Sequence, residues 1–327
     1  MLIIRRNTTD PFFNLAAEEY ILKNFNQDTF ALWRNEKSII VGKHQNTLAE
    51  INQVYVNENA VKVVRRLSGG GAVFHDLGNL NFTFTQTSLD DNPINFRKYT
   101  QPILDVLQLM GVDAIFEGRN DLTIDGKKFS GNAMHIWKKK VLHHGTLLFS
   151  SEIPDLSAAL NADPSKFEDK SVKSVRSRVT NIREHLKEKI DVMQFADRIE
   201  QFIVEQNPEA ILYELTQHDM EQIQKLCASK YATWEWNYGY SPKYNFRKVM
   251  RTKGSGTIEI NLDVHDGVIQ QVRFFGDYFG ILDSEEIEKA LVGTSHRVES
   301  VTQVIESFDL SNYFANLNSE ELIPGFF

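Results

Sequence analysis

The sequence predicts an α+β protein, with a mixed, mainly antiparallel sheet, flanking helices and a small α+β domain at the C-terminus. Strand-like segments outnumber helical ones through residue 150, and the links between them are too short for parallel crossovers. Asp125-Gly126 and Asp266-Gly267 each separate two strand-like runs, and both dipeptides are strong two-residue hairpin signals. A sheet built largely from hairpins follows from these observations.

A domain boundary is predicted near the aromatic-rich stretch from Trp234 to Tyr244, which also contains Gly239 and Pro242. We therefore expect a catalytic domain over residues 1–240 and a small accessory domain over residues 241–327. The second part contains a hairpin and two helical segments, which is enough for a small α+β domain.

Composition limits the class of protein. The chain has 327 residues, 42% of them hydrophobic, and a net charge of −8, which argues against nucleic acid as a main partner. Its one cysteine, Cys227, excludes an internal disulfide and favours a reducing compartment. No stretch approaches the roughly 20 apolar residues of a membrane span. We expect a cytoplasmic protein with no membrane partner.

The first elements follow from caps and alternation. Asp10-Pro11 is a good helix start, with an N-cap acceptor and a proline in the first turn, so we predict a helix to about Asn26. Strands are predicted for Leu2 to Ile4, Phe30 to Trp33 and Ser38 to Gly42, and a short helix for Leu48 to Glu58.

The stretch from Arg65 to Phe84 reads RRLSGGGAVFHDLGNLNFTF and contains three consecutive glycines between strand-like sequences. Glycine exposes its backbone N–H groups and adopts positive φ, so such a turn can wrap closely around an anion, most often a phosphate. For three glycines alone, the simpler interpretation is a hairpin or bulge without a ligand. Because Arg65-Arg66 and His75-Asp76 flank them, we favour an anion-binding loop.

Later elements continue the pattern. Leu80, Phe82 and Phe84 alternate with polar residues, so one face of that strand is apolar and the polar face could line a site. A helix over Ile103 to Met110 should end at Gly111, and Pro102 predicts that it starts near Thr100 or is kinked there. Further strands are predicted for Asp121 to Ile124, Lys127 to Ile136 and Val141 to Phe149, and helices for Asp191 to Val204 and Gln217 to Ala228.

Two neighbouring lysines, Lys127 and Lys128, follow the Asp125-Gly126 turn. A lysine held there can meet an anionic ligand at the mouth of a strand, and a solvent-exposed hairpin lysine is the alternative for one of the pair. Together with Arg65, Arg66 and the glycines, one of the two lysines forms a candidate phosphate site.

Several other chemistries are not expected. The glycines lead into a strand, so they do not form a P-loop, and no dinucleotide-binding Gly-x-Gly-x-x-Gly precedes a helix. His143 and His144 are adjacent, so on a strand they face opposite ways, and a structural zinc site is not expected. Cys227 lies in a predicted helix far from the glycines, so covalent catalysis by cysteine is not expected either.

Five segments, in order and with compatible spacing, resemble lipoate-protein ligase A, and the match extends over nearly the whole chain. They are RRLSGGGAVFHDLGN, GRNDLTIDGKKFSGNA, HHGTLLF, SVKSVRSRVTNI and WNYGYSPKYNF. The resemblance implies a catalytic domain similar to that of biotin-protein ligases, with a mixed sheet and flanking helices, and a small C-terminal domain. This agrees with the α+β prediction.

The resemblance also implies an activity. Such enzymes use ATP with Mg²⁺ to convert the substrate lipoate to lipoyl-AMP, release pyrophosphate, and pass the lipoyl group to a lysine of a lipoyl domain. The implied partners are the lipoyl domains of 2-oxoacid dehydrogenase acyltransferase subunits and the H protein of the glycine cleavage system. We expect the enzyme to be a monomer.

The same resemblance implies the roles of individual residues. Lys128 matches the active-site lysine, expected to hold the lipoate carboxylate and the α-phosphate together, although a shift by one to Lys127 stays open. The expected ATP and adenylate contacts are Arg66, Gly70, Gly71, Ala72, Val73, Phe74, Asn79, Asn120, Lys128 and Arg176, the last within an adenylate loop from Lys173 to Asn181. The expected lipoate contacts are Ser68, His75, Lys128, Ala133 and His144.

The roles of three of these residues stay open. Asp121 is the second candidate catalytic residue, and the sequence does not decide whether it binds Mg²⁺ or helps to deprotonate the incoming lysine. For His75 and His144, the alternative to a ligand contact is a hydrogen-bonded structural histidine.

Two other functions compete with the ligase. One is an ATP-independent transferase that moves octanoyl or lipoyl groups between carrier proteins. Members that use covalent catalysis need a cysteine in the catalytic domain, and here only Cys227 exists. The other is a non-catalytic protein that binds lipoyl domains, which would need neither Lys128 nor the glycine loop.

Overall fold

The computed structural model describes residues 1–45, 47–87, 94–160, 179–239, 246–252, 254–265 and 268–326. Its strands are β1 (Leu2–Arg5), β2 (Thr29–Trp33), β3 (Ser38–Val41), β4 (Lys62–Arg65), β5 (Val73–His75), β6 (Asn79–Gln86), β7 (Ala114–Glu117), β8 (Asp121–Ile124), β9 (Lys127–Trp137), β10 (Lys140–Leu148), β11 (Ile211–Tyr213), β12 (Phe246–Thr252), β13 (Gly256–His265) and β14 (Val268–Gly276). Its helices are α1 (Pro11–Asn24), α2 (Thr47–Glu50), α3 (Gln53–Glu58), α4 (Phe96–Leu109), α5 (Ile153–Ala159), α6 (Val192–Gln206), α7 (Gln217–Leu226), α8 (Glu285–Leu291), α9 (Val298–Ile305) and α10 (Ser319–Leu322).

An eight-stranded mixed sheet forms the centre of the main body, in the order β11-β1-β2-β6-β10-β9-β8-β7. β1 runs parallel to both β11 and β2, while the pairs from β2 through β7 are antiparallel. Asp125 and Gly126 join β8 to β9 with φ values of 50° and 71°, as a type I′ hairpin turn requires. The predicted mixed, mainly antiparallel α+β fold is confirmed.

A second, three-stranded sheet carries the glycine-rich stretch. β3 is its central strand, parallel to β4 and antiparallel to β5, and the glycines connect β4 to β5. The sequence alone predicts β2 and β3 as strands joined by a polar turn. In the structure, that turn leads from the large sheet to the small one.

Two predicted helices differ from those observed. The predicted helix from 48 to 58 is divided into α2 and α3, because the Asn52 side chain accepts a hydrogen bond from Tyr55 N and starts a new helix. α4 begins at Phe96, with Asn95 as its N-cap and Pro102 inside it, so of the two predicted alternatives the start near Thr100 is wrong. Phe96, Tyr99 and Ile103 form a buried stripe, and burying them outweighs the cost of the proline.

Helices cover both faces of the large sheet. α4 and α6 pack on one face, and α1 and α7 pack on the other. Asp10 caps α1 by accepting a hydrogen bond from Phe12 N, as predicted. No helix within the described ranges combines the length and the apolar character that crossing a bilayer requires.

The C-terminal part has its own hydrophobic core. β12, β13 and β14 form an antiparallel sheet against which α8 and α9 pack. The second predicted turn, at 266–267, lies outside the described residues, and the strands on either side of it pair antiparallel. The chain after β14 returns to the main body, where Gly276 N donates to His44 O at 2.6 Å.

Candidate active site

A cleft with about 610 Å³ of empty volume lies between the glycine-rich stretch and strands β9 and β10. Six of the predicted site residues line it from the glycine side, namely Arg66, Gly70, Gly71, Ala72, Val73 and His75. Four more line it from the side of β8 to β10, namely Asn120, Lys128, Ala133 and His144. Apolar groups of Leu15, Trp33 and Ile40 form a further part of the wall. The cleft therefore has an apolar part and a part rich in donors.

Arg66 organises the glycine loop from inside. Its Nη2 donates to Gly69 O at 2.7 Å and to Gly71 O at 2.8 Å, and its Nη1 donates to Ile40 O at 3.0 Å. Gly70 has φ +92°, a conformation that favours glycine. Burial lowers the pKa of Arg66 to about 10, so the guanidinium remains charged at neutral pH.

Arg65, the other half of the predicted basic pair, does not line the cleft. It is fully buried, and its Nη1 donates to the carbonyl oxygens of Gly42, Lys43 and Gln45 at 2.7 to 3.0 Å. This corrects the predicted phosphate site: Arg65 is the last residue of β4 and Arg66 directly follows it, and consecutive side chains of an extended segment point in opposite directions.

Lys128 is the lysine that reaches the cleft, whereas Lys127 is exposed and does not line it. Lys128 Nζ lies 2.7 Å from Asp121 Oδ1, and both side chains are about two-fifths exposed, at 41% and 39%. A Cβ on Gly131 would lie 3.2 Å from Lys128 Nζ, so a glycine at this position gives the ammonium room. Asp121 contacts Lys128 without lining the cleft itself.

Ser68 and His144 are joined by a hydrogen bond of 2.6 Å between Ser68 Oγ and His144 Nε2. Ser68 is buried behind the cleft wall, while His144 lines it. On its other side, His144 Nδ1 lies 3.0 Å from both carboxylate oxygens of Glu18. Sequence reasoning missed Glu18. The signal available was a pair of carboxylates, Glu18-Glu19, within an otherwise apolar helical segment.

His75 lines the cleft as a neutral ring. Burial, assisted by the charge of Arg66, lowers its pKa to about 3. Its Nδ1 lies 3.1 Å from Asn35 Nδ2, and its Nε2 has no hydrogen-bond partner in the described part of the chain. A buried nitrogen without a partner is suited to a ligand contact.

Two further predicted residues do not line the cleft with their side chains. Phe74 lies between Val73 and His75 on β5, and its side chain packs in the core of the small sheet, so only its backbone is available to a ligand. Asn79 is buried and donates to Asn81 Oδ1 at 2.9 Å, and it is Asn81 that lines the cleft. The polar face of β6 thus reaches the site, as the alternation predicted, through Asn81.

Of the two remaining predicted residues, Asn120 lies directly before β8. Asn120 Nδ2 donates to Asn132 O at 2.5 Å, which ties the start of β8 to β9. Arg176 lies outside the described residues, as does most of the predicted adenylate loop. Where the described chain resumes, Thr180 N donates to Lys128 O at 3.0 Å. The end of that predicted loop is therefore paired to the strand that carries Lys128.

Among the described residues, no three or more His, Cys, Asp or Glu side chains lie together so that they could hold a metal ion. Among the described residues, Asp121 is the carboxylate that pairs with Lys128. Mg²⁺ keeps several waters and binds through one or two carboxylates together with substrate phosphates, so this donor set fits a magnesium ion that arrives with a nucleotide. It does not fit a metal site built by the protein alone.

The C-terminal part contacts the glycine loop directly, a contact that sequence reasoning missed. A Cβ on Gly69 would lie 2.3 Å from Tyr278 O, and one on Gly70 would lie 3.5 Å from the ring of Phe279. Arg119 lies over that ring, with its Cζ 4.4 Å from the centroid. The available signal was the glycine- and aromatic-rich run at the end of β14, but its partner lies some 200 residues away in the sequence.

Comparison with known proteins assigns the class. Residues 10–204 match the family model of the lipoyl protein ligase A/B catalytic domain, and residues 241–324 match that of the bacterial lipoate protein ligase C-terminus. The chain therefore belongs to the lipoate-protein ligase family, which confirms the resemblance seen in the sequence.

Individual relatives agree with this class. The chain is 43% identical over 323 residues to lipoate–protein ligase 1 of Staphylococcus aureus strain Mu50, covering 98% of both chains. It is similar to the crystal structure of P. falciparum LipL1 in complex with lipoate, with TM-score 0.79, 28% identity and 94% of both chains covered.

Two further solved structures match about three quarters of the chain. A lipoate-protein ligase A bound with ATP has TM-score 0.63 and 25% identity, covering 73% of this chain and 98% of the other. The bipartite lipoate protein ligase of Thermoplasma acidophilum, described with its E2 lipoyl domain, has TM-score 0.65 and 28% identity, covering 75% of this chain and 98% of the other.

Proposed function

We propose that this protein is an ATP-dependent lipoate-protein ligase, which converts lipoate to lipoyl-AMP and transfers the lipoyl group to a lysine of a lipoyl domain. The observation that carries the proposal is the composition of one cleft. Lys128 and the glycine loop line the same cavity as the apolar side chains of Leu15, Trp33 and Ile40. This combination suits a mixed anhydride, which has an acyl chain at one end and a phosphate at the other.

The first step joins two anions. A carboxylate oxygen of lipoate attacks the α-phosphorus of ATP, a P–O bond forms, and pyrophosphate leaves. Lys128 holds the carboxylate and an α-phosphate oxygen together and stabilises the charge that develops between them. The N–H groups of Gly70 and Gly71 are available to the phosphate oxygens, and Mg²⁺ bound with the nucleotide would neutralise further phosphate charge.

The second step passes the acyl group on. The neutral amine of the acceptor lysine attacks the lipoyl carbonyl carbon, the C–O bond to AMP breaks with its electron pair on AMP, and the nitrogen releases a proton to solvent as the amide forms. The acceptors we propose are the lipoyl domains of 2-oxoacid dehydrogenase complexes and the H protein of the glycine cleavage system. The catalytic domain would comprise residues 1–240, with residues 241–327 as the accessory domain.

Mass spectrometry of an apo lipoyl domain tests the proposal. The domain is incubated with the enzyme, lipoate and ATP with Mg²⁺, and we expect a mass gain equal to one lipoyl group that disappears when ATP is omitted. A gain that persists without ATP, from an octanoylated or lipoylated carrier protein, would support the transferase instead. No gain under either condition would favour a protein that only binds lipoyl domains.

The covalent transferase has little support here. Cys227, the single cysteine of the chain, is buried at the end of α7, and burial raises the pKa of its thiol. It does not line the cleft. An acyl-cysteine intermediate would therefore have no nucleophile at the site.

A further inference from the structure

A buried carboxylate, Glu18, lies directly behind the cleft wall and does not line the cleft itself. Its side chain is held on α1 with only 3% exposure. Both of its oxygens lie 3.0 Å from His144 Nδ1, and Thr83 Oγ1 donates to its Oε1 at 2.6 Å. Glu18 is thus bonded to side chains of two neighbouring strands, β6 and β10.

Hydrogen bonds extend from Glu18 to three side chains that do line the cleft. On one side, Thr83 Oγ1 accepts from Trp33 Nε1 at 2.8 Å. On the other side, His144 Nε2 is bonded to Ser68 Oγ, which in turn accepts from Arg66 Nε at 3.0 Å. Trp33, His144 and Arg66, which line the cleft, are therefore all connected by hydrogen bonds to the buried Glu18.

The charge of Glu18 fixes the direction of the bonds that it accepts and, for a neutral His144, of the bonds beyond them. An ionised carboxylate only accepts, so His144 must carry its proton on Nδ1. His144 Nε2 then accepts from the Ser68 hydroxyl, whose oxygen is left to accept from Arg66. The Thr83 hydroxyl donates to Glu18, and its oxygen is left to accept from Trp33.

Glu18 is kept ionised by its surroundings. Burial alone would raise the pKa of its carboxyl group, but His144, Arg6 and Thr83 together hold that pKa below its ordinary value. Arg6 is itself buried, and its guanidinium lies over the ring of Trp33, with Cζ 4.8 Å from the centroid. A positive charge thus lies beside the carboxylate in the same part of the core.

We infer that Glu18 is a positioning residue of the cleft. It fixes the Nδ1-protonated tautomer and the ring orientation of His144 and, through Thr83, the orientation of the Trp33 indole. The consequence for lipoate binding rests on the proposed function, because these two rings form the wall that would receive the acyl chain. Arg66 depends less on Glu18, since three backbone carbonyl oxygens also hold its guanidinium.

Glu18→Gln is the informative substitution because it keeps the shape of the side chain. A neutral amide presents one oxygen and one NH₂ group, and His144 Nδ1 lies 3.0 Å from both oxygen positions of Glu18, so in either orientation the NH₂ group lies against a group that donated to the carboxylate. If the NH₂ group meets His144, the ring must become an acceptor at Nδ1 and move its proton to Nε2. If the NH₂ group meets Thr83, the hydroxyl must turn and lose its bond from Trp33.

Two measurements report this change. Long-range ¹H–¹⁵N NMR of ¹⁵N-histidine protein should show the Nδ1-protonated tautomer for His144 in the wild type, with the signal assigned by its loss in His144→Asn. In Glu18→Gln we expect either a switch of that tautomer or a shifted indole N–H resonance of Trp33. We also expect the KM for lipoate to rise about tenfold or more, with the KM for ATP changed less than about twofold.

The matched control is Glu19→Gln. Glu19 is the next residue on α1 and is equally buried, at 2% exposure, but its oxygens bond to Lys23, Lys230 and Tyr231, away from the cleft. This variant should leave the His144 tautomer and the KM for lipoate unchanged. Equal effects of the two variants would mean that Glu18 is only a structural residue of the helix.

The inference is overturned if wild-type His144 carries its proton on Nε2, a result that does not depend on whether any variant folds. It is also overturned if Glu18→Gln leaves both NMR signals and the KM for lipoate at wild-type values. The NMR result is independent of enzyme activity. Absence of lipoylation in the mass-spectrometry assay would therefore refute the proposed function and leave the test of Glu18 intact.

Discussion

Replacing Lys128 by alanine should separate catalysis from stability. The only ion pair of Lys128 that the structure describes is with Asp121, and both side chains are about two-fifths exposed. Such pairs contribute about 0 to 1 kcal/mol to folding, so we expect the free energy of unfolding to fall by less than about 1 kcal/mol. In the proposed reaction, the Lys128 ammonium donates hydrogen bonds to the negative charge that develops as the two anions react. Losing a donor of this kind costs about 100- to 1,000-fold in rate, which corresponds to about 3 to 4 kcal/mol.

The assay is lipoate-dependent release of pyrophosphate, measured beside urea unfolding of the same preparation. Lys127→Ala is the control, because that neighbour has the same charge but is exposed and does not line the cleft. We expect Lys127→Ala to release pyrophosphate at close to the wild-type rate. If Lys128→Ala released it within about threefold of wild type while folded, the role assigned to this lysine would be wrong.

Two further predictions concern stability. Gly70→Ala should lower the free energy of unfolding by about 1 to 3 kcal/mol, because residue 70 has φ +92° and an added Cβ would lie 2.9 Å from Arg66 Nη2. Gly71→Ala is the control, because an added Cβ there meets no protein atom within 4 Å, and it should change the free energy of unfolding by less than about 1 kcal/mol. If urea unfolding showed equal losses of stability for the two variants, the strain assigned to residue 70 would be wrong. Burial opposes ionisation of Glu19, but Lys230, Lys23 and Tyr231 lower the pKa of its carboxyl group from 4.5 to about 2. The ionised carboxylate therefore stabilises the folded protein above pH 4.5, and this contribution is lost as the pH falls towards 2. The stability difference between wild type and Glu19→Gln should therefore narrow by about 2 kcal/mol between pH 5 and pH 3, and a difference independent of pH would refute this assignment.

The sequence by itself determined the features that depend on neighbouring residues. Asp10 and Pro11 start α1, Asp125-Gly126 forms the turn between β8 and β9, and the alternation along β6 separates its polar face from its apolar face. Each of these is a local preference of backbone or side chain, so residues within a few positions are sufficient to predict it. The family resemblance likewise rests on short segments, whose order along the chain is visible without a structure.

Only the tertiary structure decided which of two adjacent residues reaches the cleft. Lys128 and Arg66 line it, whereas Lys127 is exposed and Arg65 is buried among backbone carbonyl groups. A shift of one residue along a strand reverses the face of a side chain, and the register that sets the face comes from pairing with distant strands. Glu18 also had to be found in this way, because its partners His144 and Thr83 lie 126 and 65 residues further along the chain. Charge alone would have predicted a solvated carboxylate there. Its burial and hydrogen bonds follow from packing that brings α1 against β6 and β10.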